Sequence, residues 1–190
     1  MLVKRSNIYL FVAALILTAA LAVPAAAQKP VKMRFSGSNV ATTINLRPNT
    51  VTDETHLAGK GTLGAFTFRE LHADGPSPQP PSNCSGPSFA VVAGAGVFRF
   101  QDGSLLIVTV VDGEGCVNPA AGKAAITVNY QISGGTGRFT GASGDLTMTA
   151  TIAPVLRDAS GAPAFGTIMR EFESTVFGVA TGEEDQDEQQ

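Results

Sequence analysis

Ionisable side chains stand among apolar residues at the two-residue spacing that places side chains on one face of a β-strand. Glu70 and His72 follow Phe68 at this spacing, and Arg170 follows Ile168 in the same way. If these faces line an interior, a buried carboxylate, imidazole and guanidinium would have shifted pKa values and could do acid or base work. Two alternatives stay open: the residues end strands near the mouth of a barrel, or Glu70 and Arg170 form a structural ion pair.

Tyr130 shares an apolar face with Val128 and Ile132, and its hydroxyl would need a partner if it is buried. That partner could be a ligand, or the side chain could simply pack. Glu70, His72, Tyr130 and Arg170 are therefore the ligand-binding candidates. The sequence assigns no catalytic residue, because it contains no Gly-x-Ser-x-Gly and neither histidine has a recognisable partner in sequence.

Motifs for metals and cofactors are missing from the sequence. Two cysteines and two histidines occur without a CxxC or HxxxH element, so we expect no metal site and no cofactor. The glycine-rich run 132–146 resembles a phosphate cradle only in composition. Such a loop must lead into a helix, whereas here a strand-like pattern follows.

The elements that would position these residues are strands. Apolar residues alternate with polar ones over residues 124–132 and 145–152, which predicts strands with one buried face. Weaker patterns predict strands around 33–35, 49–58, 63–73, 97–101, 105–111 and 165–179, with a hairpin turn at Asp102-Gly103 and a long surface loop over 74–87. We therefore expect an all-β fold, a single antiparallel barrel of about eight strands, because closure removes exposed edges.

Residues 105–111 depart from alternation, since both faces of this stretch are apolar. A strand of this kind must be covered on two sides. The second cover could be a loop or terminal segment of the same chain, or another subunit, and a homo-oligomer is one expectation.

The first 27 residues have the layout of a secretory signal. Lys4 and Arg5 precede an uncharged run, and Ala25 and Ala27 supply the small residues that a signal peptidase needs. A retained membrane anchor is the alternative, but Pro24 and the alanines favour removal. We expect a signal peptide (1–27), a β-barrel domain (28–182) and an acidic disordered tail (183–190), with a secreted or periplasmic location and no stable membrane insertion after cleavage.

Removal of Lys4 and Arg5 leaves 11 of the 13 basic residues against 16 acidic ones, five of which lie in residues 183–190. The body of the chain is therefore neutral. Because phosphate binding needs a clustered basic surface, we expect no nucleic-acid partner. An oxidising compartment would also join Cys84 and Cys116 in a disulfide that tethers the 74–87 loop.

The run Gly-Gly-Thr-Gly-Arg-Phe-Thr-Gly-Ala-Ser-Gly at 134–144 resembles a segment of the allene oxide cyclase and dirigent barrel superfamily, and of exported bacterial proteins that share it. Thr-Leu-Gly-Ala-Phe-Thr-Phe at 62–68 is similar to a second recurring piece of those bacterial proteins. The resemblance covers most of residues 31–180. It implies a calycin-type eight-stranded barrel with a central cavity, often trimeric among the plant relatives.

Those relatives handle hydrophobic small molecules, by cyclising an epoxide-containing fatty acid or by orienting phenoxy radicals. Their cavity acids have no match at a position of this chain. The sequence therefore favours an exported, non-catalytic barrel that binds a small hydrophobic ligand or serves a structural or interaction role. The alternative is a cavity enzyme of cyclase or isomerase type.

Overall fold

A computed structural model describes residues 28–78 and 83–177 of the 190-residue chain. The predicted signal peptide (1–27) and acidic tail (183–190) lie outside the described residues. Within the described ranges, no helix has the length and apolar character needed to cross a membrane.

Eight antiparallel strands form one closed barrel, in which each strand pairs with its neighbours in the chain and the last pairs back onto the first. They are β1 (Gln28–Thr42), β2 (Val51–Gly61), β3 (Gly64–Pro76), β4 (Ser88–Phe100), β5 (Leu105–Asn118), β6 (Lys123–Gly135), β7 (Ser143–Arg157) and β8 (Pro163–Phe177). The all-β antiparallel barrel expected from the alternation is confirmed.

Alternation decides which side chains fill the interior. In β6 and β7 the inward positions are buried and the positions between them are at least partly exposed. The buried set is Ile126, Val128, Tyr130, Ile132, Leu146, Met148 and Ala150. Every second side chain of these strands therefore packs into one shared core, which the period of two predicts.

The glycine-rich run closes one end of the barrel. Gly137, at φ +60°, begins a 3-10 turn that ends at Phe139, whose ring is fully buried 4.7 Å from the ring of Phe100. The Arg138 guanidinium lies 4.8 Å from the Phe100 centroid, and its Nε is 3.1 Å from Asp102 Oδ2. Because β7 follows this turn, the run plugs an end of the barrel instead of cradling a phosphate.

Several strands are longer than the sequence pattern indicates. β3 continues through Asp74 to Pro76, so the surface loop predicted over 74–87 starts later, at Ser77. β4 starts at Ser88, well before the predicted 97–101, because its first half is built of Ala, Val and Gly residues that show no alternation. Small side chains hide the strand from a pattern search but pair normally in the ladder.

β5 bears out its apolar character on both faces. Leu106 and Val108 are buried in the core, and Val110 packs against it. Ile107 is 36% and Val111 59% exposed, because alternation places both on the outward face of β5. The described part of this single chain therefore leaves the outer face of β5 open, and its cover by another subunit stays a prediction.

Cys84 and Cys116 form the disulfide that the sequence predicts. The bond joins the segment between β3 and β4 to β5, at the barrel end where β1 turns into β2. It ties the longest connection of the described chain to the wall of the barrel.

Candidate functional site

Asp53 and His72 face each other across β2 and β3. A two-residue turn joins Gly61 to Gly64, and the register that follows from this turn pairs Asp53 with His72. Residues directly opposite in an antiparallel pair have Cβ atoms about 4.5–5.5 Å apart. The length of one tight turn thus brings an acid and an imidazole together.

Alternation on β3 adds Glu70 and Asp74 to the face that carries His72. Glu70 and His72 are each only 2% exposed, and Asp53 and Asp74 are half-buried. We refer to Asp53, Glu70, His72 and Asp74 as the polar cluster. It lies inside the barrel, toward the end that carries the β1–β2 connection and the disulfide.

Two glycines of β4 make room for this cluster. Gly94 and Gly96 are the register partners of His72 and Glu70. A Cβ at Gly94 would lie 2.8 Å from the Cβ of His72, and one at Gly96 would lie 2.4 Å from the ring of Phe68. Both distances are too short for a real contact, so Gly94 leaves room for the Cβ of His72 and Gly96 leaves room for the ring of Phe68.

The two nitrogens of His72 face two different carboxylates. Nδ1 is 3.5 Å from Glu70 Oε2, and Nε2 is 3.8 Å from Asp74 Oδ2. Both carboxylate oxygens of Glu70 and both ring nitrogens of His72 are buried without a hydrogen-bond partner among the described residues. Buried polar groups are rarely left so, because each costs about 1–3 kcal/mol when unsatisfied.

Neutral polar groups border the cluster. Asn39 donates a hydrogen bond from Nδ2 to Thr55 Oγ1 over 3.2 Å, and both residues are buried. Thr55 is the β2 partner of Glu70. The hydroxyl of Tyr130 is fully buried and has the sulfur of Met148 as a weak acceptor at 3.9 Å. Glu70 therefore lies beside the hydrogen-bonded Thr55 on β2, and it interacts with the Tyr130 phenol on β6.

Negative charge dominates the electrostatics of the cluster. Burial lowers the pKa of His72, but the charges of Glu70, Asp74 and Asp53 outweigh it and raise this pKa to about 9. Burial raises the pKa of Asp74 to about 7, against the attraction of His72. Burial also raises the pKa of Asp53. The cluster thus holds one imidazolium against three carboxyl groups, two of which protonate more readily than usual.

The negative charge of the polar cluster also affects the pKa of Tyr130. Its burial, followed by the negative charge of Glu70 and then of Asp74, raises the pKa of the phenol well above its usual range. The hydroxyl therefore stays protonated and can only donate its proton in a hydrogen bond or accept one at its oxygen.

The rest of the interior is filled by rings. Phe98 packs within 4.3 Å of the Phe68 ring centroid, 4.9 Å of that of Phe172 and 5.4 Å of that of Phe66. We refer to Phe66, Phe68, Phe98, Phe100 and Phe172 as the aromatic half. The Tyr130 ring contacts it at 6.2 Å from Phe68. The interior thus has an apolar half and a polar end, and Tyr130 stands between them.

Three of the four candidates from the sequence come together here. Glu70, His72 and Tyr130 are all inside the barrel, on the strand faces that the two-residue spacing predicted. The backbone of Arg170 pairs with Phe35 and Ala150, but its side chain lies outside the described residues. The ion pair between Glu70 and Arg170 stays a prediction.

Asp53 and Asp74 are the site residues that sequence reasoning missed. The Pro- and Ser-rich composition of residues 74–87 predicts a loop that includes Asp74, and Asp53 lies in a weakly patterned strand. A signal was available: counting back from the tight turn at residues 62–63 pairs Asp53 with His72 directly. Asp53, His72 and Asp74 can each offer one ligand atom to a cation, and these three atoms lie within 4.8 Å of one another.

The chain was compared with family models, with curated proteins and with solved structures, and none of them matches it.

Proposed function

We propose that this chain is an exported barrel that binds a small, mainly apolar molecule carrying one hydrogen-bond donor, with Glu70 and Tyr130 recognising the donor group. The observation that carries the proposal is that both carboxylate oxygens of Glu70 are buried without a hydrogen-bond partner among the described residues, where the polar end of the interior meets the aromatic half. A hydroxyl or amino group would satisfy the oxygen that does not face His72, and the apolar body would lie against the ring of Tyr130.

The division of the interior supports a compact ligand. The aromatic half is packed by mutual ring contacts, so the polar end is where a guest can be received. Asp74 is 18% exposed at its side chain, and the connection over 43–49 beside it is exposed. Because packed rings fill the apolar half, a small ligand suits this interior better than a long acyl chain.

Export is part of the proposal and is supported by the signal-like residues 1–27 and by the disulfide, which is typical of oxidising compartments. A relationship to the allene oxide cyclase and dirigent barrels is proposed as well. It is supported by the glycine-rich run and by the closed eight-stranded barrel.

Native mass spectrometry of the protein from its own host, followed by titration with matched probes, tests this function. In EDTA-containing buffer we expect benzylamine and benzyl alcohol to bind. We expect benzoate not to bind, because the three carboxyl groups of the polar cluster disfavour a fourth carboxylate beside them. Glu70→Gln and Tyr130→Phe should each weaken benzylamine binding at least about tenfold, the value of one lost charge-assisted or buried hydrogen bond. Glu114→Gln, on the exposed face of β5, is the matched control.

Retention of no small molecule from the host, together with no difference among the three probes, would contradict the proposal. Equal weakening by Glu114→Gln would do so too, because Glu114 lies on the outside of the barrel.

The contact between Glu70 and His72 favours a second candidate, a cavity isomerase or cyclase. A carboxylate 3.5 Å from an imidazole nitrogen, beside a protonated phenol, can move a proton on a bound molecule. The molecule that is retained from the host distinguishes the two. A binding protein returns it unchanged after incubation, whereas an isomerase converts it to a species of equal mass and different chromatographic retention, and Glu70→Gln abolishes the conversion.

A further inference from the structure

We propose that Asp53, His72 and Asp74 bind one divalent first-row transition-metal ion at the polar end of the barrel, with Glu70 orienting the imidazole. This inference is independent of the organic ligand, since the ion needs only side chains of β2 and β3.

The arrangement around His72 has the form of a metal-binding histidine. Such a histidine almost always directs its other ring nitrogen at a carboxylate or carbonyl, which fixes the tautomer. Here Nδ1 faces Glu70 Oε2 at 3.5 Å, and Nε2 faces Asp74 Oδ2 at 3.8 Å. When a metal ion displaces the proton of Nε2 and the proton on Nδ1 is kept, the lone pair of Nε2 is directed toward Asp74.

The spacing of the donors is close to that of a bound ion. The ligand atoms of Asp53, His72 and Asp74 lie within 4.8 Å of one another. Ligands at about 2.1 Å from a tetrahedral ion are about 3.4 Å apart. Closing this gap requires rotation of the Asp53 and Asp74 side chains, which are less deeply buried than that of His72.

The burial of the His72 side chain also points to a ligand. This side chain is 2% exposed, and both of its ring nitrogens lack a hydrogen-bond partner among the described residues. Gly94 opposite it leaves the imidazole in place without offering a polar group. An ion would satisfy Nε2, and it would offset the two aspartate charges that this end of the barrel otherwise holds together.

The donor set indicates the class of ion. One imidazole with two carboxylates suits Zn²⁺, Mn²⁺ and their neighbours, whereas Mg²⁺ and Ca²⁺ prefer oxygen ligands alone and Cu⁺ prefers sulfur. Three protein ligands leave at least one position for water, as in open zinc sites.

The test uses untagged protein that has been stripped with EDTA, dialysed and titrated with Zn²⁺ and, separately, Co²⁺. We expect one ion per chain, a visible Co²⁺ absorption band and no comparable binding of Mg²⁺. Asp53→Asn and His72→Gln should each abolish stoichiometric binding, and Glu70→Gln should weaken it roughly ten- to hundredfold, the usual effect of losing a carboxylate partner of a ligating histidine.

His56 provides the matched control. Its Nε2 is 2.7 Å from Glu54 Oε1 on the outer surface, so His56→Gln removes an exposed histidine–carboxylate pair and should leave binding unchanged. Circular dichroism checks that each variant is folded, and Asp53→Asn, at a half-buried position, keeps the test valid if His72→Gln does not fold.

Absence of stoichiometric Zn²⁺ and Co²⁺ binding by the wild type would overturn the metal site, and so would full binding by folded Asp53→Asn. Loss of binding in His56→Gln would place the ion on the outer surface and would overturn it as well. Because the benzylamine titration is done in EDTA, its outcome is separate from this one.

Discussion

The aromatic half and the polar cluster share one barrel interior and obey opposite physical rules. In the aromatic half, Phe98 contacts all four other rings, and every contact adds to burial of apolar surface. In the polar cluster, Glu70 and His72 are as deeply buried but leave their polar atoms unpartnered. Equal burial thus stabilises at one place and destabilises at the other, which is expected where a fold carries a site at a cost to its stability.

The largest effect that follows from this comparison is expected in the aromatic half. Phe98→Ala should lower the free energy of unfolding by about 3–5 kcal/mol, because the ring is fully buried and its neighbours cannot collapse into the space. Urea denaturation followed by circular dichroism measures the change. A loss below about 1 kcal/mol would show that the rings repack freely, and the barrel would then be softer than its contacts indicate.

The polar cluster should make the metal-free protein less stable as the pH rises. His72 has a pKa of about 9 in the folded protein against 6.5 in the unfolded chain, so its contribution is complete below pH 6.5 and is lost as the pH rises through 9. Asp74, raised to about 7, binds its proton more tightly in the folded protein and shifts stability in the same direction between about pH 4 and 7.

The free energy of unfolding should fall by on the order of 2 kcal/mol between pH 6 and pH 9, measured by urea denaturation in EDTA. The groups that face the imidazole are Glu70 and Asp74 on β3, Asp53 on β2 and, beyond Glu70, Tyr130 on β6. His72→Gln should flatten the profile over this range. A wild-type profile that rises toward pH 9 would mean that His72 is neutral in the folded protein.

The smallest effect has the opposite sign to that of Phe98→Ala. Glu70→Leu combined with His72→Leu should raise the free energy of unfolding at pH 8 by about 1 kcal/mol, because the double variant replaces both members of a buried charge pair by apolar groups. Glu114→Gln, on the outer face, should change it by less than about 0.5 kcal/mol. If the double variant were destabilising instead, the charge pair would be part of a stabilising network and the contrast between the two regions would be lost.

The barrel itself could be predicted because β6 and β7 alternate strictly and the Asp102-Gly103 turn has an unambiguous chemistry. The early part of β4 could not, because alternation needs large apolar side chains and residues 93–96 are Ala and Gly. Those small residues are set by what lies opposite them, namely Phe68 and His72, and such a tertiary requirement leaves no local pattern.

About half of the candidate site could be predicted from the sequence. The two-residue spacing places Glu70 and His72 on an inward face, but it does not indicate which strand lies beside them. The register of β2 against β3 supplies Asp53, and the continuation of β3 past Ala73, where the ladder with β4 shifts, supplies Asp74. A Gly-Pro pair after Asp74 is typical of a turn, and the pairing with Val51 overrides that local preference.

The seam between β1 and β8 constrains how the chain matures. Seven of the eight strand pairings are local hairpins, whereas this one places Gln28 against Phe177 and includes an ion pair between Lys32 and Glu173, 141 positions apart. Its loop-closure entropy is the greatest, and a nascent chain emerging from its N-terminus cannot complete it before β8 arrives. Until β8 pairs with it, β1 is an edge strand with one unpaired side. Two copies of the chain could pair wrongly through this edge during that time.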